Sequence, residues 1–416
     1  MVKSLKTAAA AVAALVVLVL GARLAGYRVV IEPVDGEATR TVTSFDAVAP
    51  SVLDQDFGSE PETRNVVILI GDGMGFGQLL GGRAAVAGLN GRLFMERLPV
   101  TGWLSTHSAH DVGTDSAAGA TALAAGHKTA IGRLGVTADG RPVRSLMEAA
   151  AARGMATGLI TDSYLWDATP AAFAVHVETR RDRRRIADQM AASGFDLLLG
   201  EEYSGLLGGP DGSRVIETFR REGYSLVRDA HGLSAADEGR ILGLFGSGSV
   251  ADPGRPPELE DLVDFALARL SRENGGFVLM VETEEPDTAS HDGDFERMVR
   301  GVAALDRAVE RAVDFARRDR HTLVLVTADH ETGGLALMGG GEGEPLRVRW
   351  STRGHTGNPV PLLAFGPGAE RLGGVRDNTE VPRILAGILG LSLEGAAPAA
   401  RQGWSSPCLT FDRLNP

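Results

Sequence analysis

Acids and histidines gather where apolar runs end. Val66 to Ile70 is a short, continuous, largely β-branched run that stops at Gly71-Asp72-Gly73-Met74-Gly75. Phe277 to Val281 ends at Glu282, with Asp287 and His291 following, and Leu323 to Val326 ends at Thr327-Ala328-Asp329-His330-Glu331. One acid after one strand would be a helix cap or a turn. Three apolar runs ending in acids, two with histidines behind them, point to a shared polar site. Asp287 and His291 are four apart, so on a helix they share one face, as two ligands of one metal require. A solvated ion pair has the same spacing. Asp329 and His330 are adjacent and suit a loop bent around an ion. Histidine with carboxylate suits zinc, whereas carboxylate, hydroxyl and water suit magnesium. Of nine histidines, only His291, His330 and His355 fall in such settings.

Ser116, in Thr114-Asp115-Ser116-Ala117-Ala118-Gly119-Ala120-Thr121-Ala122, is the candidate nucleophile. Asp115 or Ser116 caps a helix of small residues, the commonest job for either there. The same helix N-terminus is electropositive and favours an alkoxide or a phosphoester. A serine alone is a weak nucleophile and needs a base or a metal. No Gly-x-Ser-x-Gly elbow surrounds it, so activation by a metal fits better than a hydrolase triad.

These groups need a frame. Apolar runs at Val66 to Ile70, Thr157 to Ile160, Leu197 to Leu199, Phe277 to Val281, Leu323 to Val326 and Leu362 to Phe365 alternate with helix-period stretches such as Glu258 to Arg272 and Phe295 to Arg318. Continuous apolar strands are buried on both faces, so the reading is α/β, a mostly parallel central sheet with helices on both faces. Ligands of such sheets bind beyond the carboxyl ends of the strands, where the acids fall. Residues 201–257 are richer in glycine and charge and read as an inserted or variable region.

Lys3 and Lys6 precede an apolar stretch from Thr7 to Leu20, so residues 1–28 read as a cleaved signal peptide or an uncleaved membrane anchor. Either places the bulk of the chain outside the cytoplasm, in the periplasm or beyond the cell. Residues 29–62 read as a linker and lead-in, 63–395 as the catalytic domain, and 396–416 as a tail. A net charge of −12 disfavours nucleic acid as a partner. The single cysteine, Cys408, excludes an internal disulfide and a cysteine-based metal cluster.

The blocks Val67-Ile68-Leu69-Ile70-Gly71-Asp72-Gly73-Met74-Gly75 and Thr114 to Ala122 together resemble the alkaline phosphatase family. Asp167-Ala168-Thr169-Pro170-Ala171-Ala172, Thr327-Ala328-Asp329-His330-Glu331 and Gly354-His355-Thr356-Gly357 resemble it in the same order. The resemblance implies a metal-dependent phosphomonoesterase with a covalent phosphoserine at Ser116. It implies two zinc ions and one magnesium. Asp287, His291 and His355 resemble ligands of the first zinc, Asp72, Asp329 and His330 of the second, and Asp72, Thr169 and Glu282 of the magnesium. Arg180 resembles the arginine that clamps two phosphate oxygens, and Asp167 an acid that holds magnesium-bound water. The other arginines of Arg180-Arg181-Asp182-Arg183-Arg184-Arg185 read mostly as a solvated helix face. Phosphoryl transfer suits such a site, because it is catalysed by positioning and charge neutralisation.

Three departures stand out. Thr288 follows Asp287, where the family has lysine or histidine. His355 follows His330 closely, which leaves no room for a long interface insertion. There are no disulfides. The family is usually dimeric, and the missing insertion leaves monomer and homodimer both open. The alternative activity is a related hydrolase preferring phosphodiesters or one dedicated monoester. Arg180 argues against a diesterase, since a dianionic terminal phosphate makes best use of that clamp.

Overall fold

Apolar runs too short for helices and too continuous for an exposed strand end up in one ten-stranded sheet. Its order is Gly374–Asp377, Val100–Ser105, Val360–Phe365, Thr322–Thr327, Asn65–Gly71, Phe277–Thr283, Ala156–Tyr164, Leu197–Glu201, Arg240–Phe245, Tyr224–Val227. All strands run parallel except Val360–Phe365, which is antiparallel to both neighbours. This computed structural model describes residues 36–41, 50–58, 62–207, 212–236, 238–251, 254–341 and 343–394. The expected signal or anchor at 1–28, much of the lead-in and the tail at 396–416, with Cys408, lie outside the described residues.

The fold is therefore the α/β class expected, with helices packed on the sheet. The central strands Asn65–Gly71, Phe277–Thr283 and Thr322–Thr327 are buried along their whole length. The long helix Phe295–Asp319 buries Met298, Val302, Leu305, Val309, Ala312 and Ala316 against them, at spacings of three and four. Asp294 caps it by accepting from the Arg297 amide. Among the described residues no helix is long and apolar enough to cross a membrane.

Register does the positioning. Ile70 sits beside Glu282 on one side and Thr327 on the other, and Thr161 sits beside Glu282. Asp72, Glu282 and Asp329 thus leave the sheet at one level, at its carboxyl end. A two-stranded ribbon then pairs Thr332 with His355 and Glu331 with Thr356, which returns His355 to the end of the Thr322 strand. Part of the expected lead-in is also ordered. Gly36–Thr41 pairs antiparallel with Pro345–Trp350 in a three-stranded sheet. Residues 201–257, expected as an inserted or variable region, extend the main sheet with its last two strands.

Asp162, next to the site but outside it, gives a test of the packing. It accepts from the Thr283 hydroxyl and from the Glu284 amide. Burial nevertheless pushes its carboxyl up to about 7, against those bonds. The folded protein holds this proton more tightly than the unfolded chain does. Stability from this group is therefore fully present below about pH 4 and is lost as pH rises through about 7. Asp162→Asn is expected to flatten that slope and to add up to about 4 kcal/mol at pH 8. Urea unfolding of both proteins at pH 5 and pH 8 reads it, and identical slopes would reject it.

Candidate active site

Ser116 is the first residue of the helix Ser116–Ala125, and Asp115 is its cap. Asp115 accepts from the amides of Ala118 and Gly132. Its second oxygen is 3.5 Å from Arg180 Nη1. The helix lies tight on the Asp329 loop: a Cβ at Gly119 would come within 2.7 Å of the Asp329 carbonyl oxygen. This close approach brings Ser116 Oγ to 3.4 Å from His330 Nε2.

Two groups of candidate ligands meet there. His330 Nε2 is 3.4 Å from Asp72 Oδ1 and 3.3 Å from Asp329 Oδ2. Both carboxylate oxygens are buried and have no hydrogen-bond partner among the described residues. Beside them, His355 Nε2 lies 3.0 Å from His291 Nε2 and 3.6 Å from Asp287 Oδ1. Asp287 Oδ2 is 3.3 Å from His291 Nε2. The His330 and His355 rings stack with centroids 3.8 Å apart, so the two groups are contiguous. Thr169 Oγ1 is 3.3 Å from Asp72 Oδ2, and Thr161 donates to Glu282 at 2.5 Å.

This donor set fits divalent cations. The Nδ1 of His355 faces the Thr114 carbonyl at 2.7 Å, and that of His291 faces the Arg353 carbonyl. A carbonyl only accepts, so each Nδ1 carries a proton and each neutral ring turns a bare Nε2 inward. Two lone pairs 3.0 Å apart require something positive between them. A proton does this in the metal-free protein: the Asp287 hydrogen bond pushes His291 up to about 9. Burial raises Asp287, but the hydrogen bond with His291 and the charge on that ring outweigh it and hold it low. Burial lowers His330 well below the usual range, so its ring is neutral. Burial, and then the charges of Asp329 and Asp287, push Asp72 far up; burial, and then the charge of Asp287, push Asp329 up to about 7. Glu282 is likewise raised by burial. Acids this close ionise together only beside added positive charge.

Arg180 supplies one fixed cation. Its Nη2 is 2.9 Å from Asp167 Oδ1, and Asp115 flanks its other nitrogen. Burial works against its charge, but these two acids raise its pKa further. Arg180, Asp167, Asp72, Asp287, His291, His355 and Ser116 line one pocket of roughly 380 Å³, with Tyr164, Glu284 and Thr288. That size suits a small ester.

The family model for alkaline phosphatase matches residues 63–345. Streptomycin-6-phosphate phosphatase of Streptomyces griseus is 34% identical, over 83% of this chain and 94% of that protein. The chain belongs to the alkaline phosphatase family. Alkaline phosphatase 3 of Bacillus subtilis is 29% identical, over 83% of this chain and 93% of that protein. The solved alkaline phosphatase of the Antarctic bacterium TAB5 superposes with a TM-score of 0.74 at 28% identity, covering 80% of this chain and 99% of that one. A variant of that Antarctic enzyme was solved with magnesium bound.

In this alkaline phosphatase all the residues singled out from sequence come together. Several of their neighbours are visible only in the fold. Thr332 donates to Asp287, and Thr161 to Glu282. Glu331 ties the His355 ribbon by accepting from Gln78, Gly334 and Thr356. Glu284 faces the pocket and accepts from the Thr288 hydroxyl, so the threonine after Asp287 is turned to a carboxylate. The Glu284 position had a sequence signal, an acid two residues beyond Glu282.

Proposed function

We propose that this enzyme hydrolyses phosphate monoesters through a covalent phosphoserine at Ser116. Asp287, His291 and His355 would hold one zinc, Asp72, Asp329 and His330 a second, and Asp72, Thr169 and Glu282 a magnesium. The observation that carries the reading is one pocket lined by Ser116, Arg180, Asp72, Asp287, His291 and His355, with His330 and Asp329 directly against Asp72 and Ser116. Bound cations supply the positive charge that stabilises an alkoxide nucleophile and the leaving oxygen.

The chain's own groups do the rest. Arg180 offers a planar fork to two non-bridging phosphate oxygens, and Asp115 and Asp167 keep that fork aimed. Ser116 Oγ attacks phosphorus as the ester oxygen leaves with a proton as the free alcohol. Water then attacks the phosphoserine, the P–Oγ bond breaks, and phosphate leaves with Ser116 restored. The electropositive end of the Ser116 helix favours the anion at each stage.

Metal-loaded protein is expected to prefer p-nitrophenyl phosphate over its bis-ester by about 10²-fold or more in kcat/KM, since a dianionic terminal phosphate makes fuller use of the Arg180 charge than a monoanionic diester. A preference for the bis-ester would overturn this reading. The relative named for streptomycin 6-phosphate supports a second one, a single dedicated monoester on the same machinery. Lys3 and Lys6 before their apolar stretch support export, which cell fractionation tests. Sedimentation of the purified chain decides between monomer and homodimer.

A further inference from the structure

We propose that Arg183, fixed on Tyr164 and Tyr203, forms a leaving-group subsite favouring phosphate monoesters whose alcohol carries a second anionic group. The proposal rests on the phosphomonoesterase reading of the Ser116 pocket.

Tyr164 ends the strand Ala156–Tyr164 and lines the same pocket as Ser116 and Arg180. Arg183 lies over its ring, and Asp167 shares the pocket wall with it. Asp167 in turn holds Arg180 at 2.9 Å. Arg183 is therefore the next cation outward from the phosphate clamp, one tyrosine and one aspartate away. The guanidinium carbon of Arg183 lies 4.7 Å from the Tyr203 ring centroid and 5.7 Å from that of Tyr164. The two rings are 5.0 Å apart and tilted by 36°. Stacking of this kind fixes a guanidinium by its face and leaves its N–H edge for a ligand.

The neighbouring arginines differ. Arg184 spends its charge on Asp188 at 3.1 Å, and Arg181 and Arg185 are exposed. Among the described residues Arg183 makes no ion pair with a carboxylate, and the nearby Asp167 is committed to Arg180. In a chain of net charge −12, a fixed cation beside the pocket is a local reversal of sign. Glu284, also in the pocket wall, is engaged by the Thr288 hydroxyl. A phosphate seated on Arg180 would thus have its alcohol portion near Tyr164, with a carboxylate or second phosphate within reach of Arg183.

The test compares 3-phosphoglycerate with glycerol 3-phosphate on metal-loaded enzyme. Both place the phosphate on a three-carbon primary alcohol and differ by one carboxylate. Wild type is expected to favour the carboxylated ester in kcat/KM. Arg183→Gln is expected to reduce that ratio about fivefold, mainly through KM, the size of a partly solvated charge pair. Arg183→Lys should recover part of it, and Arg185→Gln should leave it unchanged. The ratio cancels any general damage to turnover. Raising salt should compress it in wild type and not in Arg183→Gln, which reads the same charge without relying on a variant's folding. An unchanged ratio in Arg183→Gln, or no preference in wild type, overturns the subsite while leaving the phosphatase reading intact. Failure to hydrolyse these esters and p-nitrophenyl phosphate alike overturns both.

Discussion

Ser116→Ala is expected to lower kcat for p-nitrophenyl phosphate by about 10³-fold or more, with the melting temperature within a few degrees of wild type. The two halves of this expectation have separate physical causes. Asp115, not Ser116, is the cap, and its carboxylate still accepts from Ala118 and Gly132 in the variant. Alanine is also the best helix former, and Ser116 already lies inside the first turn. The substitution removes the 3.4 Å approach of Oγ to His330 Nε2 and leaves the cap in place. Activity falls because no oxygen remains where Arg180 and both ligand groups converge. Residual hydrolysis would come from water directed by the same charges. Acid-quenched wild type should yield a phosphorylated Ser116 peptide by mass spectrometry, and the variant none. Near-normal turnover in Ser116→Ala would remove the covalent mechanism.

The parts of this site that could be read from sequence are those set by strand ends. A continuous apolar run followed by an acid carries its own address, since the sheet aligns the carboxyl ends of parallel strands. That is why Asp72, Glu282 and Asp329 group together from sequence alone. Strand direction is not encoded that way: Val360–Phe365 is buried along its whole length like the adjacent Thr322–Thr327 and runs the other way. The strand Val100–Ser105 is not legible as an apolar run because its exposed positions alternate and include Trp103. Tyr224–Val227 is only four residues long, and Gly243 interrupts the apolar run of Arg240–Phe245. Side-chain brackets are hidden for a different reason. Asp115 and Arg180 are 65 positions apart, so no spacing rule connects them. Sequence leaves the choice between Asp115 and Ser116 as cap open because either type serves, and only backbone geometry decides. Arg183 reads as solvated because it sits in a run of arginines. Two tyrosines from different segments give it a fixed place.

Chelation of the metal-loaded protein is expected to abolish phosphatase activity and to lower the melting temperature by about 5 °C or more. The loss should grow with pH. Without cations, the folded state tolerates Asp72, Asp329 and Glu282 by keeping them protonated, because burial, with neighbouring carboxylates adding to it, raises all three. For Asp329 the raised value is about 7, against about 4 in an unfolded chain. A raised acid stabilises the folded state below the lower value and loses that contribution as pH rises through the higher one. Metal-free protein should therefore weaken between about pH 4 and about pH 7. Divalent cations remove the cause, since the carboxylates then ionise against positive charge. The gap in melting temperature between loaded and chelated protein should widen across that window, beyond the common slope from Asp162. Elemental analysis of the same sample should give about two zinc and one magnesium per chain, the charge that this donor set can hold. Restoring the ions should restore both activity and melting temperature. Full activity in metal-free protein, or a gap that does not move with pH, would break the link between the buried acids and bound cations.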